Sequence, residues 1–304
     1  MKLKDRVLST MKSIDTESRF ELYATRTPGY LWALLFKKLG VHPIAVTLMS
    51  IFIGAASGYF FYLPSLKMNL IGMFLLIWAN WYDCADGQLA RMTGKKTLVG
   101  RILDGFAGDV WFFCIYLGIC LRLTPQWGIW IWPLAAWAGL RCHGRQCAIA
   151  DYYRNIHLWF FLGEKGSELA TSQQEKEEYQ NLKWSGSEWF YKLFLFFYIR
   201  YTKGQEDQTP VFQQLFQAIQ EKWGGKVPDD MRQRFREDSL PLMPITNILT
   251  FDTRTGVLFL SLLIGMPWIY FVFEATALEI LRYWMIYHHE SFCKKYLDEL
   301  KSNS

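Results

Sequence analysis

Long apolar runs separate the charged parts of this sequence, and they restrict the fold more than any other feature does. About 20 apolar residues suffice for a helix to cross a bilayer. By that criterion we predict spans at about 43–63, 68–90, 98–121, 126–150 and 255–272, and a sixth that ends near residue 289. Because lipid offers no partners to the backbone, each span is expected to be helical. The sequence therefore predicts an all-α polytopic membrane protein with six transmembrane helices.

Two polar regions lie outside these spans. Residues 28–39 mix apolar residues with Lys37 and Lys38, which is typical of an amphipathic helix lying in the membrane interface, with a soluble amphipathic helix as the alternative. Residues 151–250 are charged except for an aromatic run at 189–198, which we also interpret as interfacial. We interpret 151–250 as a cytosolic helical insert that forms a lid or selects the acceptor; a spacer or a dimer surface is the alternative.

The domain organisation follows from these features. We predict a juxtamembrane amphipathic segment at 1–40 and spans one to four at 41–150. The insert occupies 151–250, and spans five and six with a cytosolic tail occupy 251–304. Within the last two spans Glu279 and Arg282 are three residues apart, a spacing that predicts a helical ion pair.

Basic residues in the short loops predict the orientation. Lys95, Lys96, the basic N-terminus and the tail fall on one side of the predicted topology, which places that side in the cytosol. The compartment would be the inner membrane in a bacterium and an endomembrane in a eukaryote. The net charge of +5 fits contact with anionic membrane lipids, and nothing in the sequence indicates nucleic-acid binding. The spans exclude a soluble interaction protein.

Four aspartates lie at the adjoining ends of the second and third spans, at Asp83, Asp86, Asp104 and Asp109. Carboxylates beside a hydrocarbon core are unfavourable unless they pair, bind a metal or face water, so they indicate a functional site. On a helix Asp83 and Asp86 share one face, and Asp104 begins another helix that can bring its carboxylate to the same point. Several carboxylates without a His or Cys ligand favour Mg²⁺ or Mn²⁺.

The stretch reads Asp-x2-Asp-Gly-x2-Ala-Arg-x8-Gly-x3-Asp, with the specified positions at Asp83, Asp86, Gly87, Ala90, Arg91, Gly100 and Asp104. This pattern resembles the signature of the CDP-alcohol phosphotransferases. The likeness is tight over 80–109 and looser over the rest of the membrane part. It implies a CDP-linked donor, an alcohol acceptor, two divalent ions held by the aspartates, release of CMP, and a homodimer. Gly87, Ala90, Arg91 and Gly100 would line the substrate site, with Arg91 either orienting an aspartate or binding the diphosphate.

The last aspartate departs from the family pattern. The family has it four residues after Asp104, where this sequence has Gly108, and the carboxylate follows one residue later at Asp109. The resemblance implies that Asp109 is the general base and a metal ligand. On an ideal helix Asp109 lies ~140° from Asp104 instead of ~40°, and a one-residue π-bulge would correct this. The alternative is that another group or metal-bound water takes the proton.

Three further residues are candidate substrate contacts. Pro43 and Thr47 match a family motif with Ile44 in place of asparagine, so Thr47 either touches the donor or bonds its own helix. Arg141 and Arg145 lie in the fourth span, where their positive charges require anionic partners. They would hold an acceptor phosphate or reach lipid headgroups. His143 between them is expected to be a packed, hydrogen-bonded side chain.

The predicted function is membrane lipid synthesis by a metal-dependent CDP-alcohol phosphotransferase. CDP-diacylglycerol is the favoured donor, and inositol phosphate or another polyol or phosphorylated alcohol is the favoured acceptor. The alternative within the family is transfer from CDP-choline or CDP-ethanolamine to a lipid alcohol. The alternative from another class is a non-catalytic ion-binding or transport protein of the membrane.

Overall fold

The computed structural model describes residues 3–11, 13–163, 166–167, 169–186 and 188–302. The protein is 85% helical, and the described residues contain no strand, so the predicted all-α class is confirmed. Two compact units divide the chain. The first combines Met1–Gly144 with Phe251–Ala277, and the second combines Arg145–Thr250 with Leu278–Ser304.

The helices are, in chain order, α1 (Leu3–Leu8), α2 (Arg19–Glu21), α3 (Thr27–Lys38), α4 (Pro43–Tyr62), α5 (Leu66–Thr93), α6 (Leu98–Trp127), α7 (Ile131–Ala136), α8 (Gly144–Leu162), α9 (Ser172–Asn181), α10 (Trp189–Glu206), α11 (Pro210–Trp223), α12 (Asp229–Ser239), α13 (Met243–Ile248), α14 (Phe251–Leu263), α15 (Trp268–Phe273) and α16 (Glu279–Ser302). Three π-helical segments lie at Leu22–Arg26, Trp137–His143 and Glu274–Leu278.

Two helical runs among the described residues are long and apolar enough to cross a membrane, Pro43–Tyr62 and the 64-residue run Val99–Leu162. The longer run reverses at Gly128, whose φ of 59° suits a glycine. Beyond this turn His143 packs on Phe112 with ring centroids 4.5 Å apart, so within the first unit the chain up to His143 runs antiparallel to α6. These two stretches lie in the predicted third and fourth spans. The complete set of six spans stays a prediction.

The predicted fifth span, 255–272, is not one helix. Helix α14 ends at Leu263, and α15 begins only at Trp268. Gly265, with a φ of 74°, and Pro267, at the N-cap of α15, form the turn between them. The continuous apolar run predicted a single helix here, because hydropathy does not distinguish a glycine–proline turn from a continuous helix.

Glycines allow α4 and α6 to touch backbone to backbone. A Cβ atom at Gly118 would lie 2.2 Å from the carbonyl oxygen of Gly58, and one at Gly58 would lie 2.4 Å from that of Cys114. One turn earlier on α4, a Cβ at Gly54 would meet the Trp111 ring at 2.2 Å. Close approach through small residues is how helices pack in membranes, where no hydrophobic force drives them together.

A buried ionic cluster lies in the core of the first unit. Glu274, in a π-helical segment, accepts hydrogen bonds from Arg254 Nη1 at 2.5 Å and from the Tyr270 hydroxyl at 2.6 Å. The Tyr116 hydroxyl also donates to it, and His143 Nδ1 lies 3.3 Å away. Neither Arg254 nor Glu274 has any solvent-exposed side-chain surface. The prediction that His143 is a packed, hydrogen-bonded side chain is confirmed.

The second unit packs α11 and α12 against α16. The carboxylate of Glu290 on α16 accepts hydrogen bonds from Val211 N and Phe212 N, which caps the N-terminus of α11. The predicted ion pair forms within α16, where Arg282 Nη2 lies 2.5 Å from Glu279 Oε1.

In helix α10, which contains the aromatic run, polar side chains are buried and large apolar side chains are exposed, the reverse of a helix in a soluble protein. Its buried face carries Lys192, Thr202 and Gln205, which bond to Leu182 O, Glu175 and Ala148 O respectively. Its exposed face carries large apolar side chains, namely Trp189, Phe190, Leu193, Phe196, Phe197 and Tyr201. Such an exposed apolar face indicates a contact surface for lipid or protein.

Candidate metal centre

Two helices bring three motif aspartates together. Asp83 and Asp86 lie one turn apart near the C-terminal end of α5, and Asp104 lies in the second turn of α6. One carboxylate oxygen from each residue falls within 4.8 Å of the others. Thr97 starts α6 as its N-cap, since its side chain accepts a hydrogen bond from Gly100 N at 3.0 Å. That cap fixes the helix start that carries Asp104.

The burial of the three carboxylates is graded. Asp86 is buried, Asp83 is half-buried and Asp104 is exposed. Two of their oxygens, Asp83 Oδ1 and Asp86 Oδ2, are buried and have no hydrogen-bond partner. Buried polar atoms nearly always have a partner in native proteins. The orphaned oxygens, the carboxylate chemistry and the open side at Asp104 fit a hard divalent cation such as Mg²⁺ or Mn²⁺.

Thr47 on α4 reaches this centre. Its hydroxyl donates to the Pro43 carbonyl oxygen of its own helix at 3.3 Å, and its side chain lies near Asp86. The bond to its own helix is therefore present, and a contact between Thr47 and the donor stays a prediction.

Arg91 lies over Gly87 on the surface of α5. A Cβ atom at Gly87 would be 3.5 Å from Arg91 Nη2, so the guanidinium rests against the space that the missing side chain leaves. Arg91 Nε donates a hydrogen bond to the carbonyl oxygen of Thr10. Ala90 is half-buried on the same helix. The contact with Thr10 fixes the guanidinium next to the aspartates.

Asp109 does not join the group of three. Helix α6 is α-helical from Leu98 to Trp127, so the π-bulge that would rotate Asp109 towards Asp104 is absent from this helix. Asp109 is exposed, one turn before Phe112. Its assignment as general base and metal ligand stays a prediction.

The two arginines of the predicted fourth span fall in different units. Arg141 belongs to the first unit, where its guanidinium lies 5.8 Å from the Trp137 ring and its Nη1 is buried without a hydrogen-bond partner. Arg145 begins the second unit and is exposed. The unpartnered Nη1 makes Arg141 the better candidate for an anion contact.

The N-terminal segment, meaning the residues before Thr27, contacts α5, the helix that carries the first half of the motif. The sequence did not predict this contact. Trp81 Nε1 donates to Ala24 O at 2.9 Å, and Gln88 Nε2 donates to Arg26 O at 3.2 Å. With the bond from Arg91 to Thr10, three side chains of α5 hold this segment. The capping box formed by Ser18 and Glu21 was a recognisable signal that the segment is ordered before α3.

Comparison with known proteins agrees with this geometry. Residues 41–154 match the model of the family described as CDP-alcohol phosphatidyltransferase, so the family recognised from the motif is confirmed. Over 91 residues the chain is 33% identical to an archaetidylinositol phosphate synthase of Pyrococcus horikoshii. That alignment covers 30% of this chain and 47% of the relative, so the chain spans about half the length of the curated relative. No solved structure matches.

Proposed function

We propose that this protein, whose residues 41–154 form a CDP-alcohol phosphatidyltransferase domain, transfers a phosphorus-bearing group from a CDP-linked donor to an alcohol and releases CMP. Members of this family are integral membrane enzymes that transfer phosphate-bearing groups. The observation that carries the proposal is the convergence of Asp83, Asp86 and Asp104 with two buried oxygens that lack partners.

Asp83, Asp86 and Asp104 would hold divalent ions, Mg²⁺ or Mn²⁺, with Asp109 as the further predicted ligand. When bound, two such ions supply charge neutralisation for the phosphates and for the leaving CMP. The family is generally dependent on divalent metals, which supports this assignment. Thr47 lies beside Asp86, and the Arg91 guanidinium next to the carboxylates offers charge-assisted hydrogen bonds to the diphosphate.

The reaction forms one bond and breaks one. The acceptor oxygen bonds to the phosphorus next to the donor's alcohol, and the bond from that phosphorus to the CMP oxygen breaks, with the electron pair leaving on CMP. The acceptor's hydroxyl proton passes to the carboxylate of Asp109. Asp109 lies on the same helix as Asp104, which fixes its position relative to that residue.

CDP-diacylglycerol is the favoured donor and inositol phosphate, or another polyol or phosphorylated alcohol, the favoured acceptor. The similarity to an archaetidylinositol phosphate synthase supports a phosphorylated inositol acceptor. The buried, unpartnered Nη1 of Arg141 supports an anionic group on the acceptor. A homodimer and a site that opens to the cytosol complete the proposal; the basic loop at Lys95 and Lys96 supports that orientation.

The test is CMP release by the purified protein in nanodiscs with Mg²⁺ or Mn²⁺, CDP-diacylglycerol and a panel of alcohols that includes inositol phosphate. We expect acceptor-dependent CMP that Asp104→Asn abolishes. Loss in Asp109→Asn as well would support Asp109 as the base, whereas activity in that variant would place the proton elsewhere. If neither CDP-diacylglycerol, CDP-choline nor CDP-ethanolamine yields CMP, the protein is not this enzyme. Cation flux without CMP would then favour the transport alternative.

A further inference from the structure

The N-terminal segment contains a charged pair, Glu17 and Arg26, close to the motif helix α5. Arg26 is the last residue of the π-helical segment Leu22–Arg26, and its carbonyl oxygen accepts the hydrogen bond from Gln88. One turn later, a Cβ atom at Gly29 would lie 2.8 Å from the Cβ of Cys84. The backbone around Arg26 is therefore packed against the face of α5 that contains Cys84 and Gln88.

The side chain of Arg26 is held by Glu17 along one edge only. Arg26 Nε lies 3.1 Å from Glu17 Oε2, and Arg26 Nη2 lies 2.7 Å from Glu17 Oε1. A guanidinium has five N–H donors, and this bidentate pair uses the Nε–Nη2 edge. The Nη1 edge is not part of the pair, so Glu17 can orient Arg26 while a second anion binds to it.

Only the side chain of Arg26, and not its backbone, can reach the metal centre. Going round an ideal helix from Gln88, which bonds the Arg26 carbonyl oxygen, Arg91 follows at ~60°, Gly87 at ~100° and Asp83 at ~140° in the same direction, so the backbone contact and Asp83 lie on different faces of α5. Arg26 interacts electrostatically with both Asp83 and Arg91. Although burial opposes it, the neighbouring carboxylate of Glu17 raises the pKa of the Arg26 guanidinium, which stays a cation.

Two guanidinium groups therefore lie beside the carboxylates, and only Arg91 belongs to the family motif. Like charges are unfavourable at close range unless an anion lies between or beside them. Glu17 neutralises one of the two positive charges, and the carboxylates of the centre will themselves be neutralised by cations. A diphosphate has the charge and the number of acceptor oxygens that the remaining N–H groups require.

We propose that Arg26 binds the diphosphate of a CDP-linked donor together with Arg91, and that Glu17 orients Arg26 for this role; the inference rests on the proposed function. The N-terminal segment then lines one side of the donor site and is also a membrane-proximal element. The hydrogen bonds from Trp81 and Gln88 to this segment fix its position relative to α5, the helix that carries Asp83 and Asp86.

The experiment compares Arg26→Gln with Glu17→Gln, because both substitutions remove the same ion pair but only the first removes the cation. Binding of CDP with Mg²⁺ present is measured by titration calorimetry on the whole purified protein, and KM and kcat are measured for the CDP-linked donor. Arg26→Lys tests rescue by charge alone. Arg6→Gln, on an exposed residue of α1, controls for net charge.

We expect Arg26→Gln to weaken CDP binding roughly 10- to 100-fold, the range for one charge-assisted hydrogen bond, and to raise the donor KM more than it lowers kcat. Arg26→Lys should recover part of the loss, and Glu17→Gln should lose less than Arg26→Gln. Equal losses of thermal stability in Arg26→Gln and Glu17→Gln with unchanged CDP affinity would overturn the inference and leave a structural ion pair.

The outcome separates this inference from the proposed function. If wild type releases CMP and Arg26→Gln has the same donor KM, the inference is wrong and the function stands. If wild type binds CDP but releases no CMP with any donor, the proposed function fails while the comparison of CDP affinities still decides the role of Arg26. A wild type that binds no CDP rejects both.

Discussion

The buried cluster around Glu274 allows a quantitative prediction about stability. We predict that Glu274→Gln destabilises the protein strongly although it preserves the shape and an acceptor oxygen of the side chain. The substitution removes the negative charge that lies 2.5 Å from Nη1 of Arg254, a side chain with no exposed surface. Breaking a buried ion pair in this way costs about 3–5 kcal/mol.

The expected shift in melting temperature follows from this free energy. At about 2 °C per kcal/mol, the lower value for domains of 150–250 residues, Glu274→Gln should lower the melting temperature by about 6–10 °C. Adding Arg254→Met removes the buried cation, while the amide introduced by Glu274→Gln can still bond to the hydroxyls of Tyr116 and Tyr270, accepting from one through its oxygen and donating to the other through its NH2 group. The double variant should therefore recover most of the loss.

The assay is thermal unfolding of the detergent-solubilised protein, followed by tryptophan fluorescence at one pH for wild type and both variants. A melting temperature of Glu274→Gln within about 2 °C of wild type would refute the reasoning, because Glu274 would then not be an ionised partner of Arg254. A double variant less stable than Glu274→Gln would also refute it, since the buried cation of Arg254 would not be the cause of the loss.

Three other predictions concern packing, pH and lipid contact. Gly118→Ala should lose about 1–3 kcal/mol of stability, because its Cβ would meet the Gly58 backbone at 2.2 Å, whereas Gly256→Ala on α14, with open space around the Cβ, should be neutral or stabilising in thermal unfolding. Burial raises the pKa of Glu175 from 4.5 to about 7, so the folded state holds a proton that the unfolded state releases; stability should fall as pH rises from about 4.5 to about 7, and Glu175→Gln should flatten that profile in unfolding measured across this range. A lipid-soluble photoactivatable diazirine should label Phe197 and its neighbours on α10 in nanodiscs, and labelling no greater than that of the polar helix α9 would contradict a lipid contact.

Local patterns in the sequence predicted the helices and the convergence of three aspartates. Asp83 and Asp86 share a face by helical spacing, and the motif fixes Asp104 at the start of the next helix, so the three come together once α5 and α6 are adjacent. The ion pair of Glu279 and Arg282 was predictable for the same reason. Each of these inferences uses residues close in sequence or a motif of fixed spacing.

Contacts between distant segments were not predictable from the sequence. Besides Tyr270, four residues earlier, Glu274 has partners at positions 116, 143 and 254, and no local period connects these three to it. The bond from Arg91 to Thr10 joins residues 81 positions apart and ends on a backbone carbonyl, which carries no signature in sequence. The position of Asp109 also depends on the helix remaining regular, a property that Gly105 and Gly108 left undetermined.

The backbone contact between Gly58 and Gly118 is a pivot about which α6 can tilt, and it lies far from the candidate metal centre. Fourteen residues separate Gly118 from Asp104, which is ~21 Å along a helix. A tilt of only ~5° about the pivot would therefore move the Asp104 carboxylate by nearly ~2 Å, and misplacement by ~1 Å can slow a reaction about 100-fold. The absence of a side chain at both Gly58 and Gly118 thus affects the alignment of the three aspartates from a distance of ~21 Å.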